Sequence, residues 1–394
     1  MNFCYNIWYI KYLFIPLWSK IFIFCLQCIF AIIAVYTIYK YELFIFYKLY
    51  KTSIDMKTNY FKWIIVSLSL FTLLFFPKML KAERNEFFKP SGVDSLPISI
   101  SISTPPQGVE IKAVVQLVHG MCDHKERYYP FIDFLNQNGY VCVIHDHRGH
   151  GSSVLSTQDL GFFYQAGYEG MIEDVKMVGD IMRKQYPGVP FFLLGHSMGS
   201  MVVRSFTKQY DDFINGLIVC GSPSYNSGAT IGKKLAAKYA RKYGDHYRPE
   251  VLQKMSFGSF NKKFKGETSP NAWVCSDTEV VKKYDADTLC NFIFTANGFE
   301  NLYALMLETY DTEHWKMENK KLPVFFISGA DDPCIGSTKK FLKATETMKK
   351  VGYNNVTYQL YPGMRHEILN EIGKEKVWND ILKTLNELVA NQKK

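Results

Sequence analysis

The sequence has no set of cysteines or histidines spaced for a disulfide framework or a metal site. Its nine cysteines fall at irregular intervals, and an odd number without a framework favours free thiols. The C-x-x-C spacing of Cys25 and Cys28 lies inside an apolar run. Because zinc ligands normally come in closely spaced pairs, we expect no metal. Nucleic-acid-binding motifs and internal repeats are also absent from the sequence, so we expect neither a nucleic-acid partner nor a repeat architecture.

Acidic residues are scarce in one part of the chain. Ten Lys or Arg residues lie within residues 231–265, where only two acidic residues oppose them, and the whole chain of 394 residues carries a formal net charge of +9. In this part Ile231, Leu235 and Tyr239 follow helical spacing, with lysines on the opposite face. Two interpretations stay open. The helix presents a solvated face, or the basic cap region 233–265 rests on an anionic membrane surface.

Two long apolar runs precede residue 83. Residues 21–38 carry no charge over 18 positions, which is enough for a membrane-spanning helix. Residues 63–77 are apolar and have lysines on both sides, so residues 56–82 are typical of a signal peptide or signal anchor. Residues 1–55 are then either an additional transmembrane segment or an upstream extension absent from the natural product. A third interpretation makes both runs buried helices. We expect a membrane-associated or secretory-pathway protein.

Beyond an expected polar linker (83–97), strand and helix patterns alternate. The run ISISIS at 98–103 alternates strictly, as a half-buried strand does. Short apolar runs, typical of strands buried on both faces of a parallel sheet, lie at 111–118, 140–145, 191–194, 216–220, 323–328 and 356–361. Amphipathic stretches of helical length lie at 127–137, 169–185, 198–210, 338–351 and 374–389. This alternation predicts an α/β fold with a doubly wound, mostly parallel sheet flanked by helices. Residues 222–321 interrupt it and are expected to form a helical cap, which leaves 98–221 and 322–394 as the core.

The pentapeptide Gly-His-Ser-Met-Gly (195–199) lies where a predicted strand ends and a predicted helix begins. A strained turn at this place exposes the hydroxyl of Ser197, and the glycines give it clearance. Serine is a weak nucleophile unless a base and an orienting acid accompany it. His366 follows the last predicted strand and is the only histidine downstream of the candidate acids. Asp332 follows the preceding strand and is the preferred acid, with Asp331 as the alternative. The sequence therefore predicts a Ser197–Asp332–His366 triad.

Two backbone N–H groups must stabilise the negative charge that develops during acyl transfer. Met198 follows the serine at a predicted helix N-terminus, and Met121 lies in the loop after the strand that ends near Val118. We expect these two N–H groups to form the oxyanion hole. The mechanism requires no metal and no organic cofactor.

These motifs together resemble the monoacylglycerol lipase and lysophospholipase branch of the α/β-hydrolases, also labelled serine aminopeptidase S33 or hydrolase 4. The similarity rests on LVHGMCDHKERYYPFIDFLNQNGYVCVIHDHRGHGSS (117–153), GHSMGS, GADDP and YPGMRHEILNE, and covers about residues 95–390. It implies the α/β-hydrolase fold and a serine ester hydrolase that works through an acyl-enzyme. It also implies that Asp123, Arg127 and His196 lie near the headgroup end of the substrate pocket, although the family usually has Glu where Asp123 stands.

The resemblance implies a single-chain lipid as substrate, either a monoacylglycerol or a lysophospholipid, and no obligate protein partner is evident. A general small-molecule esterase or thioesterase is the alternative, and an acyltransferase would use the same acyl-enzyme. A prolyl aminopeptidase is disfavoured because the patterns HGGPG and GGSWG are absent. A non-catalytic binding homologue would lack a triad residue, and none is missing.

Overall fold

The computed structural model describes residues 82–392. The apolar runs at 21–38 and 63–77, and with them the expected transmembrane and signal segments, lie outside the described residues. Among residues 82–392, none of the helices combines the length and the apolar character that a bilayer-spanning helix needs.

Eight strands form one sheet in the order β1-β2-β4-β3-β5-β6-β7-β8. β1 pairs antiparallel with β2, β2 pairs antiparallel with β4, and all later pairs are parallel. The strands are β1 (Glu83–Pro90), β2 (Pro97–Thr104), β3 (Ala113–Val118), β4 (Tyr140–His145), β5 (Phe191–His196), β6 (Gly216–Cys220), β7 (Val324–Gly329) and β8 (Val356–Tyr361). The doubly wound, mostly parallel sheet predicted from the sequence is confirmed.

Helices cover both faces of this sheet because successive residues of each strand point to opposite sides. One face packs Val114, Val141 and Leu193 against helices on that side, and the other packs Val115 and Cys142 against the remaining helices. The flanking helices are α1 (Tyr129–Gln137), α2 (Gly167–Gln185), α3 (Met198–Tyr210), α8 (Thr338–Val351) and α9 (Lys374–Gln392). Burial on both faces explains why β3 to β6 read as continuous apolar runs and not as alternating patterns.

The insertion, residues 222–321, separates β6 from β7. It contains α4 (Ala229–Tyr243), α5 (Glu250–Phe257), α6 (Thr278–Ala286) and α7 (Ala296–Tyr310). α4 and α7 pack closely, since a Cβ atom at Gly232 would lie 2.6 Å from the ring of Tyr303. The segment corresponds to the part of the sequence in which the strand and helix rhythm stops.

Residues 83–97, expected to be a polar linker, instead contain β1. All eight residues of β1 pair with β2, from Glu83 opposite Thr104 to Pro90 opposite Pro97. Most β1 side chains are exposed, which explains the polar composition that suggested a linker. Backbone hydrogen bonds to the alternating strand β2 hold this edge strand in place, and such bonds leave no apolar signal in the sequence.

Candidate functional site

The predicted site residues follow the carboxyl ends of four parallel strands, which meet at one edge of the sheet. In the register of β3 and β5, Val118 lies opposite Gly195, so the loops that carry Met121 and Ser197 begin side by side. In the register of β7 and β8, Gly329 lies opposite Tyr361, which aligns the two loops that follow them. Ligand sites in open α/β sheets form at this edge.

Ser197 occupies a sharp turn between β5 and α3. Its backbone has φ 54° and ψ −120°, a region that a residue with a side chain enters only under strain. The turn also requires close backbone approaches. A Cβ atom at Gly195 would lie 2.4 Å from the carbonyl oxygen of Gly199, and one at Gly199 would lie 2.2 Å from that of Val118. The two glycines of the pentapeptide are therefore sterically required, as the sequence interpretation assumed.

Asp332 and His366 lie together beside this turn. His366 Nδ1 is 2.9 Å from Asp332 Oδ2, and the same carboxylate accepts hydrogen bonds from Ser328 Oγ at 3.1 Å and from the backbone N–H of Cys334 at 2.7 Å. Asp331 is exposed. Of the two candidate acids, the structure brings Asp332 to the histidine. Burial opposes protonation of His366, but the Asp332 carboxylate and the Cys334 thiol raise the pKa of His366 well above its usual value.

The Nε2 atom of His366 faces Cys334, whose Sγ lies 3.9 Å away. Among the described residues, the hydroxyl of Ser197 and His366 form no hydrogen bond with each other. Cys334 carries no signal in the sequence, because only the fold brings its thiol to the histidine.

The loop after β3 lies directly against the serine turn. A Cβ atom at Gly120 would be 3.0 Å from Cβ of Ser197, and Met121 follows at once. Met198 is the first residue of α3, where backbone N–H groups have no partner within the helix. Within residues 82–392, neither the N–H of Met121 nor that of Met198 donates a backbone hydrogen bond. Both donors are therefore available to a substrate oxygen.

Asp123 and Arg127 belong to a buried ion-pair group. Arg127 Nη1 lies 2.8 Å from Asp123 Oδ1, and its guanidinium also binds both carboxylate oxygens of Glu367. Although burial opposes ionisation, the guanidinium holds the pKa of Asp123 well below its usual value. Glu367 was missed in the sequence, although it directly follows His366. The structure therefore ties the loop after β3 to the loop that carries the histidine.

His196 connects the same group to the histidine loop. Its Nδ1 lies 3.0 Å from the hydroxyl of Tyr128, and this hydroxyl donates to Asp123 Oδ2 at 2.8 Å. Its Nε2 lies 3.2 Å from the backbone carbonyl of His366. Burial and the nearby charge of His366 lower the pKa of His196 to about 4. His196 thus belongs to a buried network next to the Ser197 turn, and when its ring is neutral only one of these two nitrogens can donate a hydrogen bond.

Aromatic side chains of the insertion face the histidine. The ring centroid of Trp273 lies 5.1 Å from that of His366. The ring of Phe260 meets Trp273 edge-to-face at 5.0 Å, and the ring of Phe257 stacks on Trp273 at 6.5 Å. All three are only partly buried. The site therefore has an apolar wall beside its polar group, an arrangement suited to an acyl chain next to an ester.

Comparisons of the sequence with known proteins identify its family. The family model described as "Hydrolase_4: Serine aminopeptidase, S33" matches residues 109–373. A monoacylglycerol lipase from Mycolicibacterium smegmatis is 24% identical over 306 residues, which are 77% of this chain and 97% of that protein. The monoglyceride lipase of Homo sapiens is 25% identical over 285 residues, 71% and 83% of the two chains. Phospholipase YtpA from Bacillus subtilis is 23% identical over 268 residues, 68% and 92%.

Solved structures show the same architecture. A carboxyl esterase from Bacillus coagulans, in complex with glycerol, superimposes with a TM-score of 0.72 and 25% identity, covering 78% of this chain and all of that one. A soluble variant of the monoglyceride lipase from Saccharomyces cerevisiae, in complex with a substrate analogue, gives a TM-score of 0.59 and 18% identity over 79% of this chain and 97% of that one. The predicted α/β-hydrolase fold is confirmed.

Proposed function

The chain belongs to the Hydrolase_4 family (serine aminopeptidase, S33), a family with esterase and lipase members, and from this premise we propose that it is a serine carboxylic-ester hydrolase of single-chain lipids. The observation that carries the chemistry is the strained Ser197 turn beside the Asp332–His366 pair. The apolar wall around Trp273 supports a lipid substrate, as do the names of the monoacylglycerol lipase and phospholipase relatives.

The proposed reaction has two halves. His366 Nε2 takes the proton of the Ser197 hydroxyl while Oγ attacks the ester carbonyl, and Asp332 stabilises the imidazolium that forms. The N–H groups of Met121 and Met198 hold the oxyanion. His366 then protonates the departing alcohol, which leaves an acyl group on Ser197. Water, deprotonated by the same base, releases the fatty acid.

We propose Asp123, Arg127 and His196 as the substrate-binding residues at the headgroup end. Since Arg127 already binds two carboxylates, its part in recognition is to present Asp123 and the loop after β3 to the glycerol hydroxyls. An Arg127→Lys substitution keeps the charge but loses the fork geometry. It should raise KM for a monoacylglycerol more than KM for an alkyl ester without hydroxyls. Equal effects on the two substrates would remove these residues from headgroup recognition.

The decisive experiment uses the purified full chain and a fluorophosphonate probe that reacts with activated serines. We expect the wild type to be labelled and Ser197→Ala not to be. Ser205→Ala is the matched control, because Ser205 is a buried serine of α3, the helix that follows Ser197, and its hydroxyl pairs with Thr309 3.0 Å away. An unlabelled wild type would refute the hydrolase proposal.

A substrate panel separates the alternatives. Monoacylglycerols, lysophospholipids, short-chain esters and an acyl thioester are compared by kcat/KM, with and without a glycerol acceptor. Preference for single-chain lipids supports the proposal. Hydrolysis of short esters or thioesters alone would instead support the general esterase or thioesterase, and acyl transfer to glycerol would support an acyltransferase.

A membrane contact through the basic cap region (233–265) is part of the proposal. Lys233, Lys234 and Lys238 are exposed, and Ile231, at the start of the same helix, is 67% exposed. Met255, in α5 of the same basic region, is 56% exposed. Apolar side chains next to lysines are typical of helices that lie at a membrane surface. Replacing the three lysines by Glu should weaken binding to anionic vesicles and leave binding to neutral ones unchanged. Unchanged binding to the anionic vesicles would contradict this contact.

We also propose that the protein is membrane-associated or enters the secretory pathway through residues 56–82. N-terminal sequencing of the mature chain, together with membrane fractionation, distinguishes a cleaved signal from an anchor. A chain that keeps Met1 and stays in the soluble fraction would contradict both.

A further inference from the structure

Three potential metal ligands meet where the loop after β3 approaches the insertion. The Nε2 atom of His124 lies 2.9 Å from Oδ2 of Asp287, and the ligand atoms of His124, Asp287 and Cys290 all lie within 4.8 Å of one another. His124 is 163 positions before Asp287 along the chain. The sequence expectation of no metal rested on spacing along the chain, which cannot detect ligands from two distant segments.

The surroundings of His124 and Asp287 favour metal binding. The second ring nitrogen of His124 binds the Glu126 carboxylate, and a carboxylate in this position is what usually orients a histidine toward a metal. Asp287 Oδ1 accepts the backbone N–H of Leu289 at 2.8 Å, which fixes the carboxylate and leaves Oδ2 toward the histidine. Cys290 is a free thiol with 1% of its surface exposed.

We propose that His124, Asp287 and Cys290 bind one Zn²⁺ ion. Nitrogen, oxygen and sulfur donors are those that zinc takes in proteins. Two ligands about 2.1 Å from a tetrahedral ion are roughly 3.4 Å apart, so the 2.9 Å separation of His124 Nε2 and Asp287 Oδ2 needs to open by only a few tenths of an ångström. Asp287 is 31% exposed, which gives the ion a path of entry and leaves room for water as the fourth ligand.

The charges balance when zinc binds. The ion replaces the proton on His124 Nε2 and the proton on the Cys290 thiol, and both are released to solvent. The thiolate and the Asp287 carboxylate then neutralise the two charges of the ion. No oxidant or other reactant is needed.

The zinc site would link the insertion to the core at the loop after β3. A weaker link already exists there, because the hydroxyl of Tyr284 in α6 donates to the backbone carbonyl of Cys122 at 3.0 Å. Zinc would hold the connection after α6 to the loop that carries Met121. This role is structural, and it stands or falls independently of the proposed hydrolase activity.

The test is metal binding by the metal-stripped full chain. Co²⁺ is added as a spectroscopic substitute, and thiolate-to-cobalt charge-transfer absorption is recorded. Zn²⁺ alone is then titrated for stoichiometry and for its effect on Tm. We expect one ion per chain, a cobalt–thiolate band, and a Tm that rises by about 5 °C when free Zn²⁺ exceeds Kd a hundredfold.

The controls separate this site from its competitors. Cys290→Ala should lose the band and the Tm rise, whereas Cys275→Ala, a second buried thiol of the insertion, should keep both. The other close group of potential ligands among the described residues is Asp332, Cys334 and His366. Absence of the band in folded wild type, or its persistence in Cys290→Ala together with its loss in Cys334→Ser, would overturn the proposal.

Discussion

The lowered pKa values of several buried histidines predict that the folded protein becomes much less stable in mild acid. Four of them lie close together near the start of the loop after β3, with neighbouring ring centroids 4.5 to 6.2 Å apart. Burial lowers the pKa of His119 to about 4 and the pKa values of His145 and His150 to about 3, and it lowers the pKa of His147 well below 6.5. His145 is the most exceptional, because neither of its ring nitrogens has a hydrogen-bond partner within residues 82–392.

Proton linkage determines whether stability rises or falls with pH. The unfolded chain, whose histidines have a pKa near 6.5, binds more protons than the folded chain once the pH falls below that value. The stability contributed by a neutral buried histidine is present above pH 6.5 and is lost as the pH falls toward the folded-state pKa. Between pH 8 and pH 5 each such histidine costs about 2 kcal/mol.

The network residue His196 adds a fifth histidine with a lowered pKa. Histidines with raised pKa values change the stability in the opposite direction. In the metal-stripped chain, burial alone would lower the pKa of His124, but Glu126 and Asp287 raise it to about 9, and the pKa of His366 is also raised. Between pH 8 and pH 5 these two histidines each add about 2 kcal/mol to the free energy of unfolding. Five histidines with lowered pKa values and two with raised values together predict that the free energy of unfolding falls by roughly 6 kcal/mol between pH 8 and pH 5. This loss is comparable to the whole stability of many domains.

A single substitution isolates the effect. His145→Leu removes one titrating group together with its unpartnered ring nitrogens. The free energy of unfolding of the variant minus that of the wild type should be about 2 kcal/mol larger at pH 5 than at pH 8. Urea unfolding followed by near-UV circular dichroism measures this difference. Gln116→Leu is the control, since Gln116 is a buried and partly unpartnered side chain that does not titrate. If the His145→Leu difference is the same at both pH values, the histidine argument is refuted.

Further predictions concern the Asp332–His366 pair, a buried ion pair and the Ser197 turn. The raised pKa of His366 should place the acid limb of the kcat/KM profile above pH 6.5, because the base must be neutral; a limb below that pH would contradict the assigned pair. Asp332→Asn should lower kcat on the order of 10⁴-fold with an unchanged circular dichroism spectrum, and a loss under tenfold would exclude the aspartate as the orienting acid. Arg148→Met should cost about 3–5 kcal/mol in unfolding free energy, since it leaves Asp174, 2.9 Å from the guanidinium, buried without its partner; a cost under 1 kcal/mol would refute this. Gly199→Ala should reduce fluorophosphonate labelling, since its methyl would collide with the backbone after β3, and unchanged labelling would show that the turn can relax.

The sheet was predictable because its strands carry local signals. VVQLV and YVCVIH are almost continuously apolar, and both are buried on two faces. The run ISISIS alternates and marks a strand, but its serines are buried as well as its isoleucines, so the expected half-burial of this strand was wrong. β1 had no such signal, because an exposed edge strand is specified by its partner strand and not by its own composition. The internal packing of the insertion was not predictable for the same reason, since Gly232 matters only once Tyr303 is known to lie against it.

The site was predictable to the extent that its residues lie in motifs. Ser197 is marked by its glycines, and Asp332 and His366 by their positions after strands. Cys334 could not be singled out, because its closeness to the histidine depends on how the loop after β7 turns. Glu367 was equally hidden, because the sequence does not show that its carboxylate meets a guanidinium from a loop 240 positions earlier.

The guanidinium of Arg127 has an evolutionary consequence. It lies between two carboxylates, Asp123 and Glu367, whose side chains are 4% and 6% exposed. A change at position 127 alone would leave two buried negative charges without a partner, which is strongly unfavourable. Lineages should therefore change these three positions together or not at all. In an alignment of related sequences, a neutral residue at 127 should occur with the loss of at least one of the two acids.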